Sequence, residues 1–141
     1  MLLSEYEHTV DDKGRMFLPA KMREEFGGTV YVTKSVDPCI WVYSEAEWAK
    51  FAQKIDMLPR IQGREVRRHL LSAAERVVVD SHGRILLPPR LQEYAGILPG
   101  KTVKVLGLGD CAEIWDGDTL EAHRSAEDPQ KIADELIKLG F

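Results

Sequence analysis

The chain carries one short constellation twice, Asp-x-x-Gly-Arg, at Asp11, Gly14 and Arg15 and again at Asp80, Gly83 and Arg84. Each residue type has a physical task. The carboxylate accepts backbone N–H bonds across a tight turn, and the glycine supplies a left-handed position. The arginine admits two readings. Its fork pairs with an aspartate, its own or the sister copy's, or it faces phosphate oxygens and the O6 and N7 of guanine. Residues 10 to 23 hold Lys13, Arg15, Lys21 and Arg23 against Asp11 and Asp12, a net of +2. A two-stranded β-ribbon of this charge suits the major groove of DNA. In the second copy His82 stands for Lys13, Gln92 for Arg23 and Pro89 for Ala20. The second hairpin is thus less basic, and the first is expected to be the stronger DNA contact.

Other chemistry is poorly served. His8, His69, His82 and His123 lack metal-ligand spacing, and Cys39 and Cys111 form no Cys-x-x-Cys. Ser35 and Ser44 lie in no nucleophile elbow. Gly107-Leu108-Gly109 lacks the Gly-Lys of a phosphate loop. No catalytic residue, metal or cofactor is assigned, and no enzyme is expected. Trp41, Trp48 and Trp115 read as core.

The elements that position the two turns repeat with them. Val10 to Gly27 aligns with Val79 to Gly96 without a gap at an offset of 69, with eight identities in eighteen positions. This is the mark of an internal duplication. Each copy reads strand, turn, return strand, short helix, strand, strand, helix. In the first copy these are Glu5 to Val10, Arg15 to Leu18, a helix from Pro19 closed by Gly27, Thr29 to Thr33, Cys39 to Tyr43, and a helix from Ser44 to about Ile55. In the second they are Arg76 to Val79, Arg84 to Leu87, Pro88 to Ala95, Thr102 to Leu106 and Glu113 to Trp115. Ile40-Trp41 is set against Ile114-Trp115, and Ser44/Glu47 and Asp118/Glu121 read as paired capping boxes. One helix is expected over Arg60 to Ala74, with Ile61, Val66, Leu70, Leu71 and Ala74 inward and Arg64, Arg67 and Arg68 on a solvated face or a subunit contact, the alternative being a second DNA-facing strip. Another is expected from Pro129 to Leu139. Units of 45 to 50 residues bury little core alone, so the copies should share one core about a pseudo-twofold axis.

The 141 residues carry 19 Lys+Arg and 23 Asp+Glu, a net charge of −4. That balance alone argues against nucleic acid, but it is unevenly spread. Residues 1–109 sum to +2 and residues 110–141 to −6. The composition is globular. No secretory leader or membrane span is expected, and two cysteines fit a reduced cytosolic protein.

On these residues the chain resembles the MraZ family of transcriptional regulators. The resemblance lies in Glu5-Tyr6-Glu7-His8-Thr9-Val10-Asp11-Asp12-Lys13-Gly14-Arg15, followed by Leu18-Pro19 and Arg23. It lies also in the second Asp80-x-x-Gly83-Arg84 and in the intervening Arg67-Arg68-His69-Leu70-Leu71-Ser72-Ala73-Ala74-Glu75. It covers all but the acidic tail. It implies an α+β fold, a tandem-duplicated swapped-hairpin SpoVT/AbrB-like (double-psi-type) small β-barrel with peripheral helices. The implied segments are a first repeat at 5–47, a helical linker at 48–75, a second repeat at 76–121 and an acidic C-terminal helix at 122–141. It further implies a ring-shaped homo-oligomer of about eight subunits. The ring would sit in the cytoplasm on the nucleoid, bound to double-stranded DNA at short repeated G-rich boxes upstream of the cell-division and cell-wall cluster. No membrane or small-molecule partner is implied. The DNA-contacting residues would be Lys13, Arg15, Lys21, His82 and Arg84, held by Asp11, Gly14, Asp80 and Gly83. An alternative is an AbrB-like antitoxin or interaction module that uses its acidic C-terminal stretch to bind a protein.

Overall fold

The computed structural model describes residues 1–141. The first copy of the repeat forms β1 (Glu5–Thr9), β2 (Arg15–Phe17), α1 (Ala20–Phe26), β3 (Thr29–Lys34), β4 (Ile40–Ser44) and α2 (Glu45–Asp56). A short α3 (Arg64–Leu70) follows. The second copy forms β5 (Glu75–Val78), β6 (Arg84–Leu86), α4 (Pro89–Ala95), β7 (Thr102–Gly107), β8 (Ala112–Asp116) and α5 (Gly117–Ser125), and α6 (Pro129–Lys138) ends the chain. The fold is α+β, with an antiparallel sheet and six helices.

The strands pair between copies more than within them. The six-stranded sheet runs β1-β7-β8-β4-β3-β5. β1 of the first copy lies on β7 of the second (Tyr6 opposite Val105), and β5 of the second lies on β3 of the first (Val30 opposite Val77). β4 and β8 join the halves in the middle, with Ile40 opposite Ile114. β2 and β6, predicted as return strands of their own hairpins, instead pair with each other, Met16 opposite Ile85. Within each turn two backbone bonds join the arms: Asp11 N–H to Arg15 O (2.9 Å) with Gly14 N–H to Asp11 O (3.1 Å), and Asp80 N–H to Arg84 O (2.9 Å) with Gly83 N–H to Asp80 O (3.0 Å). The arms then diverge. The closed small barrel implied by the resemblance does not form: β2 and β6 leave the sheet to make a separate ribbon, so the sheet ends on β1 and β5.

That interleaving gives both copies one core. A single cluster of 20 buried apolar side chains includes Val10, Met16, Leu18, Met22 and Val32 from the first copy, and Ile85, Leu87, Leu91, Val103 and Ile114 from the second. Leu18 and Leu87, identical in the repeat, are both fully buried. The helix starts follow local chemistry. Pro19 and Pro88 stand at the N-termini of α1 and α4, where a missing N–H costs nothing. Ser44 Oγ accepts the Glu47 N–H at 3.2 Å and opens α2. Tyr31, Tyr43, Trp48 and Phe51 then pack between the sheet and α2, with Tyr31 and Trp48 stacked at 5.3 Å.

Three sequence expectations need correction. The equivalent of Ser44 is Asp116, not Asp118: the Asp116 carboxylate accepts the Thr119 N–H at 3.0 Å and caps α5. The true offset here is 72, which sets Val42 and Tyr43 against Ile114 and Trp115, positions that are buried in both strands. The helix expected over 60–74 is only the seven residues of α3, with Ile61 68% exposed and Leu70 and Ala73 buried. Within it Arg67 is not simply solvated. Its Nη2 donates to the carbonyls of Asp56 (3.1 Å) and Leu58 (3.4 Å) where α2 ends. The single acidic helix implied for 122–141 is instead the end of α5 and then α6, divided at residues 126–128, and α6 is the helix expected from Pro129 to Leu139. Asp128 caps α6, which buries none of its side chains and carries Lys131 and Lys138 against Asp134 and Glu135. No helix is long and apolar enough to cross a membrane.

If both copies depend on one core, a truncation in either should unfold the whole chain. Leu87→Ala should cost about 2–5 kcal/mol, read as one cooperative transition in urea by both far-ultraviolet circular dichroism and tryptophan fluorescence. All three tryptophans lie outside the β2–β6 ribbon. A fluorescence transition left at its wild-type midpoint would contradict a shared core.

Candidate nucleic-acid interface

The two turns are built alike, atom for atom. Asp11 Oδ1 accepts the backbone N–H groups of Lys13 and Arg15, each at 2.9 Å, and Asp11 Oδ2 accepts Arg15 Nε at 2.8 Å. Asp80 does the same for His82 and Arg84 N–H, each at 2.9 Å, and for Arg84 Nε at 2.8 Å. Gly14 and Gly83 sit at φ of +84° and +83°, the left-handed region that the turn requires. Of the two readings for the arginine, its pairing is therefore with its own aspartate. The contact is through Nε alone, so it does not exclude the other reading. The terminal nitrogens of both guanidinium groups have no hydrogen-bond partner in the chain.

These bonds also set the electrostatics. Three N–H donors per carboxylate stabilise its charged form. Asp11 is held below the usual carboxylate range, first by the Arg15 backbone N–H and then by the Arg15 side chain. In Asp80 the same donors from Arg84 lower the pKa to about 2. The aspartates stay ionised at neutral pH, and each fixes the plane of its guanidinium. The side-chain entropy that ordering an arginine would cost on binding is already spent in folding.

The ribbon sets the two turns side by side. Its register, Arg15 opposite Leu86, Met16 opposite Ile85 and Phe17 opposite Arg84, is symmetric about the Met16–Ile85 pair. Two further bonds cross it: Leu18 N–H donates to Gly83 O at 3.0 Å and Leu87 N–H to Gly14 O at 2.9 Å. Each turn is thus clasped by the strand that leaves the other. Met16 and Ile85 point into the core, while Phe17 and Leu86 are exposed beside the arginines. Arg15 and Arg84 stand two residues apart along the ribbon, about 7 Å, close to the rise of two base steps in duplex DNA.

Of the sequence-predicted residues, the structure brings together Asp11, Gly14, Arg15, Asp80, Gly83 and Arg84. Lys13 and His82 are exposed at the two turn tips, and their backbone N–H groups close the turns. Lys21 is exposed on α1 and makes no contact with either turn aspartate. Two further side chains, Phe17 and Gln92, lie at the turns although the sequence assigns neither to the site. Gln92 Nε2 donates to Leu87 O at 2.7 Å, and Arg23 Nε donates to Leu18 O at 2.9 Å. The signal for this pair was their equivalence in the repeat, 23 with 92. The crossing of β2 and β6, which places each against the other copy's turn, leaves no local trace.

Comparison with known proteins gives one family. The family model described as "MraZ protein, putative antitoxin-like" matches residues 1–68 and again 70–136. The chain is 39% identical over 145 residues to the protein named Transcriptional regulator MraZ of Thermoanaerobacter sp. (strain X514), covering all of both chains. It is 36% identical over 141 residues to that of Heliobacterium modesticaldum, covering 97% of each. Among solved structures, that of PHS018 from Pyrococcus horikoshii superposes with a TM-score of 0.37 at 18% identity, over 82% of this chain and 96% of that one, a similarity too low to argue from.

The aspartate bonds predict a pH dependence of known sign. A folded pKa below the unfolded value gives stability that is complete above about pH 4. For Asp80 this stability is lost as pH falls through about 2. The stability difference between wild type and Asp80→Asn, measured by urea denaturation, should be constant above about pH 4 and shrink steadily below it. A difference that stays level through that acid range would contradict the bonding described. At the glycine, Gly83→Ala forces an L side chain to positive φ and should cost at least about 1–2 kcal/mol.

Proposed function

The chain belongs to the MraZ family, and from that premise we propose that it is a sequence-specific DNA-binding regulator that grips short repeated boxes through its paired turns. The relatives are named transcriptional regulators, and the family is not an enzyme family. The proposed target is the G-rich repeat upstream of the cell-division and cell-wall cluster, bound in the cytoplasm on the nucleoid. The observation that carries this reading is the pair of arginines. Each is locked through Nε to an ionised aspartate, with its terminal nitrogens unpaired, on one exposed two-stranded ribbon.

The mechanism follows from that geometry. Arg15 and Arg84 present planar donor pairs at fixed positions, suited to guanine O6 and N7 or to phosphate. Lys13 and His82 lie at the turn tips, next to the arginines, and Lys21 adds charge from α1. Asp11 and Asp80 touch no base; they keep the arginines aimed. One ribbon offers few contacts, and the whole chain is acidic, at −4. A lone copy therefore binds weakly. Repeated boxes engaged by a ring of about eight copies raise the affinity through effective concentration.

A second reading has one observation in its favour. Ile132, Leu136, Ile137 and Leu139 on α6 and at its end are 44–71% exposed, as a tail that docks a protein partner in antitoxin fashion would be. Loss of a co-purifying partner on removing residues 126–141, with DNA affinity kept, supports that reading.

Arg15→Ala should abolish specific binding to direct-repeat DNA in a gel shift while native mass spectrometry finds the assembly unchanged. Unchanged affinity would sink the proposal. For wild type, log affinity should fall linearly with log salt as counterions are released, and a flat response would count against a cationic ribbon.

A further inference from the structure

The two turns are alike in backbone but unequal in charge, and the inequality crosses between copies. Arg23 belongs to α1 of the first copy, yet its guanidinium lies over the second turn. A methyl group placed on Gly83 would sit 2.6–2.7 Å from its Cζ, Nε and Nη1. Gln92 of α4 lies over the first turn in the same way, with its Nε2 2.5 Å from where a methyl on Gly14 would be. Both make the same structural bond, to Leu18 O from Arg23 Nε and to Leu87 O from Gln92 Nε2. A neutral amide therefore performs this task as well as a guanidinium does. The positive charge of Arg23 is surplus to it.

That surplus charge is placed beside another. Arg23 Cζ is 5.7 Å from the centre of the Phe17 ring, and Arg84 Cζ is 6.0 Å from the same ring. Phe17 is 44% exposed. Arg84 is held to Asp80 through Nε only, and Arg23 has no carboxylate partner. Two guanidinium groups thus lie within 6.0 Å of the centre of one half-exposed ring, and only one of them is paired with a carboxylate. At the first turn the equivalent positions hold Leu86 and Gln92 beside Arg15, one cation and no ring.

We infer that Arg23, Arg84 and Phe17 form a phosphodiester-binding site at the second turn, to which both copies of the repeat contribute. The inference rests on the DNA-binding reading above. It reverses the expectation from sequence, in which His82 and Gln92 make the second hairpin the weaker contact. The cation missing from the second copy at position 92 is supplied across the ribbon by the first. A phosphate there bridges two like charges that otherwise repel, and the ring face supports both guanidinium planes.

The variant that tests this is Arg23→Gln, because Gln92 shows that glutamine keeps the carbonyl bond at the equivalent position. Binding is read by fluorescence anisotropy on a direct-repeat duplex and a scrambled duplex over a series of KCl concentrations, with thermal melts as the check on folding. Arg23→Gln should weaken binding to both duplexes by about tenfold at low salt and lower the magnitude of the salt slope by about one per engaged copy. Gln92→Arg, which adds the second cation, though no ring, to the first turn and removes nothing from the second, should steepen the slope by a similar amount. Wild-type binding with a slope that neither variant changes overturns the site and leaves the DNA reading standing. A wild type that binds neither duplex overturns both.

Discussion

Everything in this molecule depends on the clasp between the two turns. Leu18 N–H on Gly83 O and Leu87 N–H on Gly14 O, with the three-residue pairing between them, turn two short arms into one ribbon. Neither arm pairs with its own preceding strand, so neither turn has a platform without the other. The same crossing drives Met16, Leu18, Ile85 and Leu87 into a common core and frees β1 and β5 to pair with the opposite copy. Fold and site are two consequences of one constraint. The buried side of the ribbon holds the halves together, and its exposed side carries the arginines.

Much of this was legible in the chain, for reasons that differ by residue. The turn chemistry was, because Asp, Gly and Arg act within five residues of each other and local geometry decides their bonds. The shared core was, because a unit of this size has no other way to bury Leu18 or Leu87. Strand partners were not. Arg15 to Phe17 reads as a return strand, and nothing within it says that the surface it meets belongs to a sequence 69 positions away. The pairing of Trp41 with Trp115 misled by identity. Burial matches Tyr43 to Trp115 instead, because packing of the sheet face, not residue type, sets the equivalence. The linker misled by periodicity: Ile61 and Val66 have helical spacing, but Gly63 and the turns around it confine α3 to seven residues.

The charge of the chain carries the same lesson at a larger scale. A net of −4 discourages a nucleic-acid reading until the local arrangement is known. At the ribbon, two carboxylates are consumed in holding two guanidinium groups by one edge each, and Arg23 adds a third cation with no acid beside it. Much of the acidic surplus lies after residue 110, in β8, α5 and the approach to α6. On the proposed function, the polyanion would meet a small, rigid cationic feature rather than a broad basic face. Affinity would then come from repetition of the feature, within the chain and among the proposed copies.

The central claim is that DNA meets the protein at the clasped turns. Amide hydrogen exchange of the full-length protein, with and without direct-repeat DNA, tests it most directly, since the N–H groups of Lys13, Arg15, His82 and Arg84 are tied to the aspartates that aim the arginines. The account predicts added protection confined to residues 12–18 and 81–87. Protection centred on Arg60 to Arg68 or on α6, with the two turns unchanged, would contradict it.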